Sequence, residues 1–179
     1  MAVRVATPDA VDIAELAAVA AHTFPLACPP SAPRANIAAF VEANLSATSF
    51  NEYLADPRRV ILTASHDDRI VGYAMLVRGV GTDPDVRRVV RVRPTAELSK
   101  MYVLPDNHGA GVSTALMDAA LAAAAGWGAG CVWLGVNQEN QRAQKFYKKC
   151  GFTVSGTKTF RLGAHDEDDY VMVRQLGAV

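Results

Sequence analysis

The chain has 179 residues, half of them hydrophobic, with 18 Lys plus Arg against 18 Asp plus Glu. The apolar residues are spread along the whole chain, which excludes a globally disordered polymer. The zero net charge gives no overall basic surface for nucleic acid.

The first apolar alternation, "VRVAT", predicts a strand. "TPDAVDIAELAAVAAHTF" then predicts a helix with a broad apolar stripe, capped by Thr7 or Asp9. The prolines of "CPPSAP" stop it, because each fixes φ and removes a backbone donor. Residues 34–45 predict a second helix, and 50–55 a short third one. "RVILTA", "HDDR" and "IVGYAMLV" read as strand, tight turn and strand. The stretch "RGVGTDPDVRRVVRVRPT" reads as a loop or a strand extension. Its arginines at 87, 88, 91 and 93 would face coenzyme phosphate, a partner subunit or solvent.

"AELSKMYVLP" predicts a central strand. "DNHGAGVSTALMDAALAAAAGWGAG" then gives a glycine turn, a long helix and a terminating glycine cluster. "CVWLGV" predicts a strand, and "NQENQRAQKFYKKCG" a helix closed by Gly151. "FTVSGTKTFRL" and "DYVMVRQL" predict two final strands joined by "GAHDEDD". The order implies one mixed α/β domain over 1–179, its sheet flanked by helices. Asp118 interrupts the apolar run Ala115 to Trp127, which is too short for a membrane span of roughly 20 residues. "MAVRVATPDA" lacks a basic region followed by an apolar signal core, so a cytoplasmic location is expected. Cys28, Cys131 and Cys150 show no metal spacing and no complete disulfide framework.

The strongest chemical signal is the turn His108-Gly109-Ala110-Gly111-Val112-Ser113. Glycines allow a sharp turn and close approach, and the first turn of a helix leaves N–H groups without partners. Such a turn binds diphosphate oxygens, helped by the helix dipole; it also suits plain tight packing. No Gly-Lys-Ser/Thr follows, as a phosphate-loop ATPase requires, and no acidic partner stands where a dinucleotide fold places one. A second signal lies in Asn140, Ala143, Phe146 and Tyr147. Tyr147 sits near a helix end, where a neutral phenol can donate a proton to a leaving thiolate. Two core aromatics fit the same spacing.

Together these segments resemble the GCN5-related N-acetyltransferase (GNAT) superfamily. Its acetyl-coenzyme A motif, Gln/Arg-x-x-Gly-x-Gly/Ala, matches His108-x-x-Gly111-x-Ser113, with His108 and Ser113 as departures. Its second motif, Asn-x-x-Ala-x-x-Phe-Tyr followed by Gly-Phe, is met by Asn140, Ala143, Phe146, Tyr147, Gly151 and Phe152. "ELSKMYVLP" and "SGTKTFRLG" are similar to the PaiA-like branch, which includes spermidine/spermine acetyltransferases. Asn137 and Gln138 replace that branch's Trp-Glu, and Glu167, Asp168 and Asp169 replace its Gln-Thr-Asp-like end.

The resemblance implies a fold whose central parallel strands splay to hold acetyl-CoA as cosubstrate. It implies a cofactor site of Met101, Tyr102, Val103, His108, Gly109, Ala110, Gly111, Val112, Ser113 and Asn140, with no metal. The Val103 N–H is the expected donor to the thioester oxygen, Tyr147 the general acid, and Glu97 the base. The expected acceptor is a small cationic amine such as a polyamine, drawn by the acidic turn His165 to Asp169. A protein N-terminus, lysine, amino sugar or antibiotic amine is the alternative acceptor, and a non-catalytic acetyl-CoA sensor the alternative function. No nucleic-acid or membrane partner is expected; a homodimer is left open.

Overall fold

A computed structural model of the chain describes residues 1–177. The strands are β1 (Ala2–Val5), β2 (Arg59–His66), β3 (Arg69–Arg78), β4 (Thr95–Val103), β5 (Cys131–Asn137), β6 (Thr153–Leu162) and β7 (His165–Gln175). The helices are α1 (Ile13–Ala27), α2 (Arg34–Asn44), α3 (Ala47–Ala55), α4 (Pro84–Val89), α5 (Val112–Gly126) and α6 (Gln141–Lys149). The strands form one sheet in the order β1-β2-β3-β4-β5-β7-β6. Every pairing is antiparallel except β4 with β5.

Two apolar layers sandwich this sheet. On one face, Leu116, Met117 and Ala120 of α5 pack on Ala74, Leu76, Leu98 and Leu134, joined by Phe152. On the other face, Leu16, Ala20 and Phe24 of α1 and Phe50 of α3 close over Ile61, Tyr73 and Met75. The small residues of α5 let its axis lie close to the strands. A Cβ at Gly72 would meet the Tyr102 carbonyl oxygen at 3.0 Å and Leu116 at 3.3 Å, so a side chain there would push sheet and helix apart.

Several local expectations are corrected. Asp12, not Thr7 or Asp9, caps α1: its carboxylate accepts from the Glu15 N–H at 2.9 Å. The helix runs past Phe24 and carries Pro25 before ending at Ala27. The arginine-rich stretch holds a short helix, α4, whose Asp83 cap accepts from the Asp85 N–H; Val86 and Val90 bury against β5 and β7. "HDEDD" is not a turn. It belongs to β7, and the turn is confined to Gly163 and Ala164. Strand alternation therefore exposes Asp166 and Asp168 and turns Glu167 and Asp169 inward, each 7% exposed.

Candidate active site

The site begins with a failure of pairing. The parallel ladder of β4 and β5 covers only 95–97 against 131–133; beyond it, 98–103 and 134–137 are unpaired with each other. On its other side β4 stays hydrogen-bonded to β3 through Gly72↔Val103. The Leu104 N–H donates to Val71 at 2.8 Å, on the β3 side. Ladder alternation then turns the Met101 and Val103 N–H groups away from β3, into the gap.

A bulge shapes the same strand. Met75 pairs with Lys100 and Leu76 with Leu98, so Ser99 is an extra residue. In a regular strand Glu97 and Lys100, three apart, would point to opposite faces. The bulge puts both, with Tyr102, on the α1 side. Leu98, Met101 and Val103 face α5.

Two cavities meet across the gap. The first, about 480 Å³, runs between the end of β4 and the starts of α5 and α6. Met101, Tyr102, Val103, His108, Gly109, Gly111, Ser113, Asn140 and Tyr147 all line it. Gly109 and Gly111 both have φ +79, a left-handed backbone that favours glycine, and a Cβ on either would meet nothing within 4 Å. Gly111 caps α5 without any side-chain hydrogen bond, so the first-turn N–H groups keep their donors for an anion. Thr114 and Arg142 add a hydroxyl and a cation to the wall, residues that sequence reasoning did not single out. Ala110 does not line the cavity, and the Val112 side chain is 2% exposed in the core.

His108 contributes through the turn's geometry. Its Nε2 lies 2.8 Å from the Val103 carbonyl oxygen, so that nitrogen carries the proton and donates. The bond ties the glycine turn to the last residue of β4. Asn140 has a similar structural duty: its Oδ1 accepts from the Ala143 N–H at 3.1 Å and caps α6. The carboxamide nitrogen remains for the cleft.

The second cavity, about 340 Å³, lies under α1 and shares Met101, Tyr102, Asn140, Ala143 and Tyr147 with the first. Tyr147 thus borders both. Its ring packs against Phe146 and Phe152, with centroids 5.7 and 6.0 Å away, so the core role and the cleft role coexist. Burial raises its phenol to about 12, with a smaller contribution from Cys150, and it stays protonated at neutral pH.

Glu97 lines this second cavity, and burial pushes its carboxyl upward against the opposing pull of Lys100, Lys158 and Arg59. Burial also raises Asp169 to about 6, and Glu167 and Asp168 add to the rise while Lys158 opposes it. Lys100 falls to about 8, chiefly through loss of water. Sequence reasoning missed Lys100 and Lys158 altogether. Only the bulge and the β6–β7 pairing Lys158↔Asp169 bring them to this wall. The arginine-rich stretch lies elsewhere: Arg87 and Arg93 border a separate groove beside Trp127, at the far end of α5 from the glycine turn.

Residues 26–152 match the model of the acetyltransferase (GNAT) family. The chain belongs to the GNAT acetyltransferase family. Over 165 residues it is 64% identical to an uncharacterized N-acetyltransferase of Mycobacterium tuberculosis (strain H37Rv), covering 92% of this chain and 98% of that one. Its fold is similar to that of the PaiA N-acetyltransferase of Thermoplasma acidophilum in complex with coenzyme A. That match has a TM-score of 0.76 and 18% identity, over 98% of this chain and 100% of that one. A GCN5-related N-acetyltransferase of Rhodopseudomonas palustris gives 0.73 at 22% identity, over 98% and 95%. The chain is therefore an N-acetyltransferase, in a family that uses acetyl-CoA as cosubstrate. Among the described residues no helix is long and apolar enough to cross a membrane, and no cluster of ligating side chains could hold a metal ion.

Proposed function

We propose that this GNAT enzyme, acting as a single cytoplasmic domain, transfers acetyl from acetyl-CoA to a small primary amine by direct attack. The observation that carries the reading is the meeting of two cavities at Tyr147 across the β4–β5 gap. One cavity has the donors for a diphosphate and an unpaired strand edge for an amide-bearing arm. The other has carboxylates for an amine.

Bound acetyl-CoA supplies the thioester whose acetyl group is transferred. The residues that would hold it are Gly109, Gly111 and Ser113 at the phosphates, with Arg142 beside them, and Met101, Val103 and Asn140 along the arm. Their open backbone donors fit that group. The Val103 N–H, turned into the gap, is the donor for the thioester oxygen, where charge builds during attack. Tyr147 holds the proton that the departing sulfur needs.

The acceptor amine must lose a proton before it attacks. Glu97, raised by burial, is the proton acceptor in this reading, through water along the cavity. It lies level with Trp133 on β5, whereas Asp169 lies level with Asn137, four residues nearer the cleft. Glu167 and Asp169 draw the ammonium form into the cavity; the exposed Asp166 and Asp168 take no part. The test is a panel of amines at saturating acetyl-CoA, read as thiol release and product mass. Acetylated product from at least one small primary amine is expected. Tight acetyl-CoA binding without thiol release across the panel would reject the reading.

A further inference from the structure

The acceptor cavity holds ionisable groups that form no close ion pairs with one another. Glu97, Lys100, Lys158 and Asp169 all line it. Among the described residues none of the four has an ion-pair partner within 4.0 Å. Asp169 is 7% exposed and faces the cavity beside Gly135, where an added Cβ would stand 3.2 Å from its Oδ2. A carboxylate desolvated this far without a partner is costly unless something enters to meet it. Glu167, its neighbour on β7, accepts from Asn137 Nδ2 at 3.3 Å and lies 3.3 Å from His165 Nε2.

The charges are arranged along an axis. Glu167 and Asp169 form an acidic wall on β7, and the cavity reaches the cofactor cleft at Tyr102 and Tyr147. Lys100 stands two residues from Tyr102 on the same face of β4, roughly 7 Å farther from the cleft along the strand. Its Nζ lies 5.9 Å from the Phe40 ring centroid and 6.0 Å from that of Tyr53, two aromatics beyond the cavity lining. Arg59 lies behind this end but is committed to Asp56 at 3.0 Å and to the face of Tyr53. Lys158 stands at the acidic end, opposite Asp169 on β6, and its Nζ donates to the Thr159 carbonyl oxygen at 3.1 Å. Lys158 is thus matched by Asp169. Lys100 is the cation at the end of the cavity away from the cleft, with Glu97 near it but not within ion-pair distance. A polyamine threaded past Asp169 would bring its second ammonium against Lys100.

We propose that the acceptor is a small zwitterion, a primary amine joined through a few bonds to a carboxylate, with its amine at Asp169 and Tyr147 and its carboxylate at Lys100. The proposal rests on the reading that this cavity receives the acceptor. The volume, about 340 Å³, leaves room for an amino-acid-sized ligand, and the positions of the charges rather than the size of the cavity set the preference. Burial lowers Lys100 toward about 8, and an anion beside it restores the full charge.

The test compares acids with their carboxamides: β-alanine, γ-aminobutyrate and glycylglycine, each beside its amide, with spermidine as the polycation. Initial rates are measured at saturating acetyl-CoA and normalised to the neutral fraction of each amine. Binding of the same compounds to the protein saturated with CoA is measured by calorimetry, which needs no turnover. At least one acid is expected to exceed its amide and spermidine by about tenfold or more in kcat/KM and in affinity. Lys100→Met should bring that ratio close to one, and Lys100→Arg should preserve most of it. If Lys100→Met does not fold, the wild-type ratios decide.

Equal or better turnover of amides or spermidine overturns the zwitterion while leaving amine acetylation standing. Failure of every acid to bind also overturns it. An acid that binds about tenfold tighter than its amide, with no compound of the set acetylated, supports the charged site and rejects the amine-acetylation reading.

Discussion

At the scale of single residues, two side chains carry separable consequences. Tyr147 is wedged between Phe146 and Phe152, so removing only its hydroxyl leaves the packing intact. Tyr147→Phe is expected to keep the fold and acetyl-CoA affinity and to lower kcat by about 10²–10⁴-fold. Steady-state rates across a pH series check this, and a near-wild-type maximum would remove the acid role. Asp169 affects stability. Its raised folded-state pKa means that folding favours the protonated form. The associated stability is present below the unfolded value, near 4, and is lost as pH rises through about 6. Asp169→Asn, neutral throughout, should therefore gain on the order of 2 kcal/mol over wild type near pH 8 and far less near pH 4. Urea melts at the two pH values test the sign; an equal gain at both would place the effect elsewhere.

At the scale of elements, the starts of α5 and α6 converge on one cleft by different means. Gly111 begins α5 at φ +79, a conformation that strains any β-branched residue. Gly111→Val should weaken acetyl-CoA binding at least tenfold by calorimetry, because the N–H groups lose their aim. Unchanged affinity in a folded variant would move the diphosphate site. Asn140 begins α6 with a side-chain cap, whose loss in Asn140→Ala should cost about 1 kcal/mol. Asn140→Asp can still accept from the Ala143 N–H but has no amide to donate. It should hold its thermal midpoint near wild type and lose cofactor affinity; retained affinity would reduce Asn140 to a cap.

At the scale of the whole molecule, the sheet must stay closed everywhere except at the gap. Leu116, fully buried, joins α5 to β3 near Gly72 and to the wider core. Leu116→Ala should cost about 2–5 kcal/mol and lower the thermal midpoint by several degrees. Thermal unfolding checks this, and a loss below about 1 kcal/mol would show that the layer collapses around the missing side chain.

The sequence by itself determined the order of the seven strands and of every helix except α4, because their apolar periods are local. It also determined the glycine turn at 108–113 and the Asn140–Tyr147 frame, because backbone freedom, capping and helical spacing are read over a few neighbouring residues. Acidic and arginine-rich segments misled it where charge hid periodicity: "HDEDD" is strand, and residues 84–89 are helix. Only the tertiary structure decided where β4 and β5 part. The same holds for the Ser99 bulge, which turns Glu97 and Lys100 to one wall, and for the meeting of Lys100, Lys158 and Asp169 around one cavity. Strand register and the coming together of residues distant in the chain are set by the packing of both faces of the sheet at once, and no local window of sequence carries that information.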